Sequence, residues 1–598
     1  MEVKMIKVSD YIVKFLLEHG VNNVFMFVGG GAMHLNDTIG ACPDMNFVSC
    51  LHEQTCAMAA ESYARNKNDL GVAVVTTGPG ATNTLTAVAA AWIESTQLFV
   101  ISGQVKRSDS MHGTGVRQMG VQEVDIVEMV KPITKYAVLL NDPEMVRYEL
   151  EKCVFMAKNG RPGPVLIDVP LDVQATRVDE NALVGFKAEY DKYEISKETL
   201  DEIKSLLQCA KRPVIYAGAG VALGGARKEF LQFAEKMQIP ILTTWNGMDL
   251  VWDDHPLYMG RPGAIGQRHA NFVIQNSDLL IAVGTRLAPL QTGFAYDSYA
   301  RFAKMIMVDV DKAELDKLKL HPYIKLQCDA KTFFSAVNSL DIQPNDNSRW
   351  IAKGKEWAQK YPVLNPEWLK ESGVVNSYYL VDSISRQMTA DDVYCGGRAG
   401  TCVDTVIHAF KVKKGQVVIA TKGLSSMGYG LPAAIGAAVA HPGHRIVCNN
   451  GDGGFVMNIQ DLATIKYHKF PIKFFILNNG GYATIVATQT NVFDKHFVGC
   501  DENSGLAIGN IKAIAEAYGI KTFSITNNSE IDKIVSEVLA YDGPALCDVH
   551  VSITQPIVPR QANYKTPEGQ MASRPLEDMK PLLPETELAE IMSISRND

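Results

Sequence analysis

The chain has 598 residues, of which 46 % are apolar and 21 % charged. That balance excludes a disordered polymer, a collagen and a coiled-coil rod, and at roughly 100–200 residues per domain the length suits about three or four domains. With 58 Lys plus Arg against 66 Asp plus Glu the net charge is −8, so there is no basic footprint for nucleic acid, and any phosphate must be gripped by local devices.

In chain order, the first segment, MEVKMIKVSDYIVKFLLEHG, spaces apolar residues between charges. This predicts an amphipathic helix and no signal peptide. Apolar strand-like runs then alternate with helical stretches: GVAVVTT (71–77), LFVIS (98–102), PVLIDV (164–169), PVIYAG (213–218), LLIAVG (279–284), MIMVDV (305–310), QVVIA (416–420), HRIVCNN (444–450) and IKFFILNN (472–479). Continuous apolar strands of this kind predict parallel sheets covered by helices on both faces. Polar segments at 177–197 and 343–376, the latter with Pro344, Pro362 and Pro366, predict linkers. The expected architecture is α/β: three doubly wound parallel-sheet domains at 1–175, 190–342 and 375–560, then an arm at 561–598. Prolines in that arm favour an extended path over the surface. The 11 cysteines are an odd number and form no CxxC pair, which suits reduced thiols in a cytoplasmic protein. No run approaches the ~18 apolar residues of a membrane span.

The densest chemistry lies in the third region. HRIVCNN reads as a strand that runs into Gly451-Asp452-Gly453-Gly454. A helical segment, NIQDLATIKYHK, leads to a second strand that ends in Asn478-Asn479-Gly480-Gly481-Tyr482. Two neighbouring parallel strands thus present Asp452 and Asn479 at their carboxyl ends, where open α/β sheets bind ligands. A carboxylate, an amide oxygen and a loop carbonyl are hard donors that suit Mg²⁺, and the glycines let a backbone approach phosphate.

This pattern resembles the signature of thiamine-diphosphate enzymes of the acetolactate synthase and decarboxylase superfamily. The resemblance implies a Mg²⁺–diphosphate anchor of Asp452, Asn479 and the Gly481 carbonyl, with Gly453, Gly454 and Tyr482 beside it. In the first region, His52-Glu53-Gln54 opens the helix TCAMAAESYAR and resembles the motif whose Glu meets N1′ of the aminopyrimidine. Glu53 is then the catalytic acid that helps remove the thiazolium C2 proton. The turn Thr77-Gly-Pro-Gly-Ala-Thr-Asn83 resembles the family's turn that would place Pro79 and Asn83 near the cofactor, and the run from Gly423 to Pro432 resembles the segment that would put Met427 beneath it. The resemblance further implies that the loop YCGGRAGT (394–401) would bring Gly397 and Arg398 to the diphosphate. The resemblance spans nearly the whole chain and implies pyrimidine-binding, central and diphosphate-binding domains in that order. It also implies an obligate homodimer, or a dimer of dimers, in which Glu53 and Asp452 meet across a subunit interface. Three glycine-bearing runs, at 218–226, 260–267 and 284–293, resemble the FAD-holding loops of acetolactate synthases, with Arg286 as an FAD contact; relatives with and without flavin leave FAD open.

Gln122-Glu123-Val124-Asp125 and PGPVLIDVPLDV (162–173) match the acetolactate synthase branch, and make Gln122 a catalytic candidate. The departures fall at substrate contacts: Val121 replaces Phe, Leu171 replaces Lys, Leu290 replaces an acceptor-gripping Arg, and Thr488 stands near the place of a Trp. Without the Arg, a second 2-keto acid lacks its charge partner. The expected activity is therefore a carboligase that decarboxylates a 2-keto acid, pyruvate, and passes the acyl unit to a neutral carbonyl acceptor such as a nucleotide-linked ketosugar. A simple decarboxylase, a pyruvate oxidase-like enzyme and a non-catalytic paralogue stay open as alternatives.

Overall fold

The computed structural model describes residues 4–597 apart from Leu318, Arg398, Ala399 and Thr421. Strands β1 (Asn23–Met26), β2 (Asn46–Ser49), β3 (Gly71–Val75), β4 (Leu98–Gln104), β5 (Tyr136–Leu139) and β6 (Val165–Pro170) form one parallel sheet in the order β2-β1-β3-β4-β6-β5. Every residue of β3, β4 and β6 is buried, as continuous aliphatic strands require when helices cover both faces. A second sheet contains β7 (Pro213–Ala217), β8 (Ile241–Thr243), β9 (Leu279–Val283), β10 (Lys304–Asp309) and β11 (Ile324–Gln327) in the order β8-β7-β9-β10-β11. The third contains β12 (Val393–Cys395), β13 (Val418–Ile419), β14 (Ile446–Gly451), β15 (Ile472–Asn478), β16 (Lys521–Ile525) and β17 (Ala545–His550), ordered β13-β12-β14-β15-β17-β16. The chain therefore has the three α/β domains with parallel sheets that its sequence predicts. The first and third sheets also share one winding, strand for strand.

Helices α1 (Glu53–Lys67), α2 (Leu85–Glu94) and α4 (Gly430–Ala440) position the site, while α3 (Arg268–Asn276) and α5 (Glu585–Asn597) pack together on the central domain. Helix α1 starts where His52 Nδ1 accepts a hydrogen bond from Gln54 N at 3.0 Å, and stops at left-handed Asn68. It is rich in small residues, and so is α4, GLPAAIGAAVA, which is buried almost all round. The two pack against each other: Ser62 Oγ donates to Ala433 O at 2.8 Å, and a Cβ on Gly436 would lie 2.2 Å from Ala59 O. The first and third domains thus share one apolar core.

Three expectations are revised. The amphipathic N-terminal segment is a strand, Met5–Lys7, followed by a helix, Val8–Glu18; the strand pairs with Arg177–Asp179, which had read as linker. The second linker contains a helix, Ser348–Lys360, whose Trp350 and Trp357 are buried against α3. The arm is not simply extended: two short antiparallel ladders precede α5. It binds the central domain through Gln561 N to Ala264 O (2.7 Å), Asn271 Nδ2 to Leu576 O (3.0 Å) and Gln275 Nε2 to Glu577 (2.6 Å).

Candidate active site

The expected residues fall into three groups. The first surrounds Glu53, the opening residue of α1, which is buried. Asn83 Nδ2 donates to Glu53 Oε2 at 2.9 Å, so one carboxylate oxygen is fixed. The turn that carries exposed Pro79 and Asn83 begins at Gly78, whose φ of +62° is a glycine conformation. A Cβ there would lie 1.8 Å from the carbonyl oxygen of Gln122. Gln122 is thereby seated on the turn that holds Asn83 and, through it, Glu53.

The second group surrounds Asp452 at the carboxyl end of β14. Asp452 is 2 % exposed. Its Oδ1 accepts from Gly453 N at 2.7 Å; its Oδ2 accepts from Asn479 N at 3.0 Å and Gly480 N at 2.8 Å. Burial pushes its carboxyl above the usual range, while these backbone donors pull the other way. Asn479 Oδ1 accepts from Gly481 N at 3.0 Å, and Tyr482 N donates to Cys500 O at 2.8 Å. The ring of Tyr482 covers Gly453, where a Cβ would come within 2.3 Å of it. The segment after β14 is not one helix but a 3₁₀ stretch, Val456–Asp461, broken at Asn458, followed by Leu462–His468. The break serves contact: Asn458 Nδ2 donates to Gln54 Oε1 at 3.2 Å and Gly428 O at 2.8 Å, and Asn458 Oδ1 accepts from Thr55 Oγ1 at 3.3 Å. These bonds tie the start of α1 to the segment that carries half-buried Met427. Among the described residues no hydrogen bond joins Glu53 to Asp452.

Asn450 was not singled out from sequence. Glycines crowd its side chain: a Cβ at Gly397 would sit 2.5 Å from Asn450 Oδ1, one at Gly430 2.6 Å from Nδ2, and one at Gly454 3.1 Å from Oδ1. Its Nδ2 is buried without a partner, as are Ser426 Oγ and Thr77 Oγ1. The only signal in the sequence is a polar Asn-Asn pair closing an otherwise apolar strand. Arg398 lies outside the described residues.

Arg286 stands apart from both groups, in the central domain. Its φ is +59°, and its guanidinium donates to Ile93 O at 2.8 Å and pairs with Glu314 at 3.1 Å. It lines a cavity of about 330 Å³ with Thr244, Trp245, Gly284 and Thr285. This crevice opens at the carboxyl ends of β7, β9 and β10, where strand order reverses. Gly218 and Gly284 touch there, since a Cβ on Gly218 would lie 2.0 Å from Gly284 O. Thr244 Oγ1, Trp245 Nε1 and Thr285 Oγ1 are buried without partners, and burial pushes the Asp309 carboxyl up to about 6. Glu94, at the end of α2, accepts from Gly423 N at 2.8 Å and from Asn246 Nδ2, so one carboxylate joins all three domains beside the cavity.

Comparison with known proteins agrees with this architecture. Residues 6–129 match the thiamine pyrophosphate enzyme N-terminal TPP binding domain, 200–337 the central domain and 398–549 the C-terminal TPP binding domain. Three domains of that kind, in that order, define a thiamine-diphosphate-dependent enzyme. The chain is 30 % identical over 575 residues to the acetolactate synthase large subunit of Cyanidium caldarium, covering 93 % of this chain and 95 % of that protein. It is 32 % identical over 580 residues to acetolactate synthase 2, chloroplastic, of Zea mays, covering 94 % and 88 %. The chain belongs to the acetolactate synthase-like family of thiamine pyrophosphate enzymes. Among the described residues no helix is long and apolar enough to cross a membrane.

Proposed function

We propose that this enzyme is a thiamine-diphosphate- and Mg²⁺-dependent carboligase that decarboxylates pyruvate and transfers the acyl unit to a neutral carbonyl acceptor, such as a nucleotide-linked ketosugar. The observation that carries the reading is the cradle at the end of β14: a buried carboxylate among backbone donors, an amide oxygen beside it, and glycines packed around an unpartnered Asn450 Nδ2. These features fit a metal-bound diphosphate. Asp452, Asn479 and the Gly481 carbonyl would hold the Mg²⁺ with hard oxygens. Gly397, Gly453, Gly454 and Tyr482 would line the diphosphate, with Pro79, Asn83 and Met427 around the rings. When bound, thiamine diphosphate supplies the nucleophilic carbon and the electron sink for decarboxylation. Glu53 would hold the proton shared with N1′, and Asn83 keeps its other oxygen fixed. Gln122 faces the donor.

Leu290 supports the choice of acceptor. It packs against an apolar cluster of Trp245, Val403 and Ile407. The four cations that line its cavity are engaged: Arg286 and Arg161 with Glu314, Lys158 with Asp69, and Lys422 with Asp404. A desolvated acceptor carboxylate without a partner would cost several kcal/mol, roughly. Through the unpartnered Thr244 and Thr285 hydroxyls and the Trp245 indole N–H the same cavity also suits a nucleotide such as FAD, which would then share the wall that carries Leu290 with the acceptor. A purified protein that is colourless and unchanged by added FAD removes that assignment.

The site is tested by two variants. Glu53→Gln is expected to keep the cofactor bound but suppress hydrogen–deuterium exchange at its C2; exchange at the wild-type rate would contradict the role. Asp452→Ala is expected to weaken Mg²⁺–thiamine diphosphate binding at least tenfold by calorimetry, a loss of about 1.4 kcal/mol. The acceptor is read by mass spectrometry of products from pyruvate offered pyruvate, 2-ketobutyrate or nucleotide-linked ketosugars. Acetolactate as the dominant product would overturn the neutral-acceptor reading.

A further inference from the structure

Glu123 is 1 % exposed in the loop between β4 and the helix Ile126–Val130. Its Oε1 accepts from Ser110 Oγ at 2.9 Å and Met111 N at 2.7 Å; its Oε2 accepts from Met119 N at 3.1 Å and Gly120 N at 3.0 Å. None of these four donors is a cation. Burial alone would raise the carboxyl, yet the four bonds outweigh it and hold the group below the usual carboxylate range. A charge bound this completely by neutral donors acts as the hub of the loop, because three of the bonds fix the backbone at 111, 119 and 120 and the fourth holds the Ser110 hydroxyl.

The residue before it is Gln122, whose φ is +65°. A residue with a Cβ adopts that left-handed conformation only where its surroundings over-determine it. Three contacts do so. The Gln122 carbonyl rests on Gly78. Glu123 N donates to Gly120 O at 3.2 Å. Beyond Glu123, Val124 O accepts from Gln104 Nε2 at 3.1 Å, and the same nitrogen donates to Asp168 at 2.8 Å. Gln122 is itself exposed and makes no side-chain hydrogen bond among the described residues, so its placement comes from its neighbours and not from its own packing.

We infer that Glu123 is a positioning residue: its carboxylate locks the 110–123 loop and so holds Gln122 on the Gly78 turn, beside Glu53. The inference rests on the proposed role of Gln122. Glu123→Gln is the sharp probe, because it keeps size and shape while turning one acceptor oxygen into a donor that faces N–H groups. The test uses the full chain loaded with thiamine diphosphate and Mg²⁺, and compares wild type, E123Q, Q122A and the double variant. In E123Q, amide exchange at Met111, Met119 and Gly120 is expected to quicken about tenfold or more, and kcat for CO₂ release from pyruvate to fall about tenfold. Cofactor affinity should stay within about twofold, which a general loss of folding would not allow. Adding E123Q to Q122A should cost less than about twofold more, since both act through one side chain. Wild-type turnover in E123Q, or losses that multiply in the double variant, would overturn the inference. If the wild-type protein releases no CO₂ from pyruvate, the proposed function falls instead, and unchanged loop exchange in E123Q then refutes the role given to Glu123.

Discussion

Asp168 lies within β6 of the first domain, where Ser102 Oγ donates to it at 2.6 Å and Gln104 Nε2 at 2.8 Å. Burial still dominates and pushes its carboxyl up to about 7. In the unfolded chain an aspartate titrates near about 3.9. Between those values the folded protein keeps a proton that the unfolded chain releases, so stability falls as pH rises through the window and levels off above it. The full effect is about 4 kcal/mol as an upper figure. Denaturant unfolding at pH 5 and pH 8 should show a smaller difference for Asp168→Asn than for wild type; equal differences would mean the proton is not shared this way. Single residues also mark how far the sequence could be read. Asp452 and Asn479 were legible because strand ends and glycines announce them. Asn450 and Glu123 were not, since the meaning of the one depends on burial among glycines from separate segments and that of the other on donors its own loop folds back to supply, and neither leaves a trace in periodicity.

Elements were legible where one face or both are apolar, which is why all three parallel sheets could be foreseen. The helix Ser348–Lys360 was hidden by the prolines that flank it, although Trp350 and Trp357, seven residues apart, mark a buried face. The helical reading of NIQDLATIKYHK failed in its first half because Asn458 leaves the ladder to meet Gln54, a partner 404 residues away. The crossing of α1 and α4 depends on the absence of side chains. Gly436→Ala would thrust a methyl to within 2.2 Å of Ala59 O and 2.9 Å of Ser62 Cβ. Overpacking of this sort typically costs about 1–3 kcal/mol. A melting temperature lowered by a few degrees is expected, and an unchanged one would show that the helices can slide apart freely.

At the scale of the molecule, the central and third domains are pinned by Arg261, whose side chain is 1 % exposed. It donates to Ile407 O at 2.7 Å and Phe410 O at 2.6 Å and pairs with Asp253 at 3.5 Å. Arg261→Met leaves those acceptors buried, and the loss should be about 3–5 kcal/mol in denaturant unfolding; a loss below about 1 kcal/mol would show that the joint is not maintained by this cation. The homodimer that the family resemblance implies, with Glu53 and Asp452 supplied to one site by different copies, has its own test. Co-expressed Glu53→Gln and Asp452→Ala chains, each inactive alone, should recover about a quarter of wild-type turnover, because random pairing leaves one intact site in half of the dimers. No recovery would place both residues in one chain.

The first and third sheets follow the same strand order, and the central sheet follows it for its first four strands. A shared strand order sets the carboxyl ends of the strands out in the same sequence in both outer domains, and each domain uses a different part of that edge. One carries an acid at a helix start after its second strand, and the other carries a carboxylate and an amide after its third and fourth.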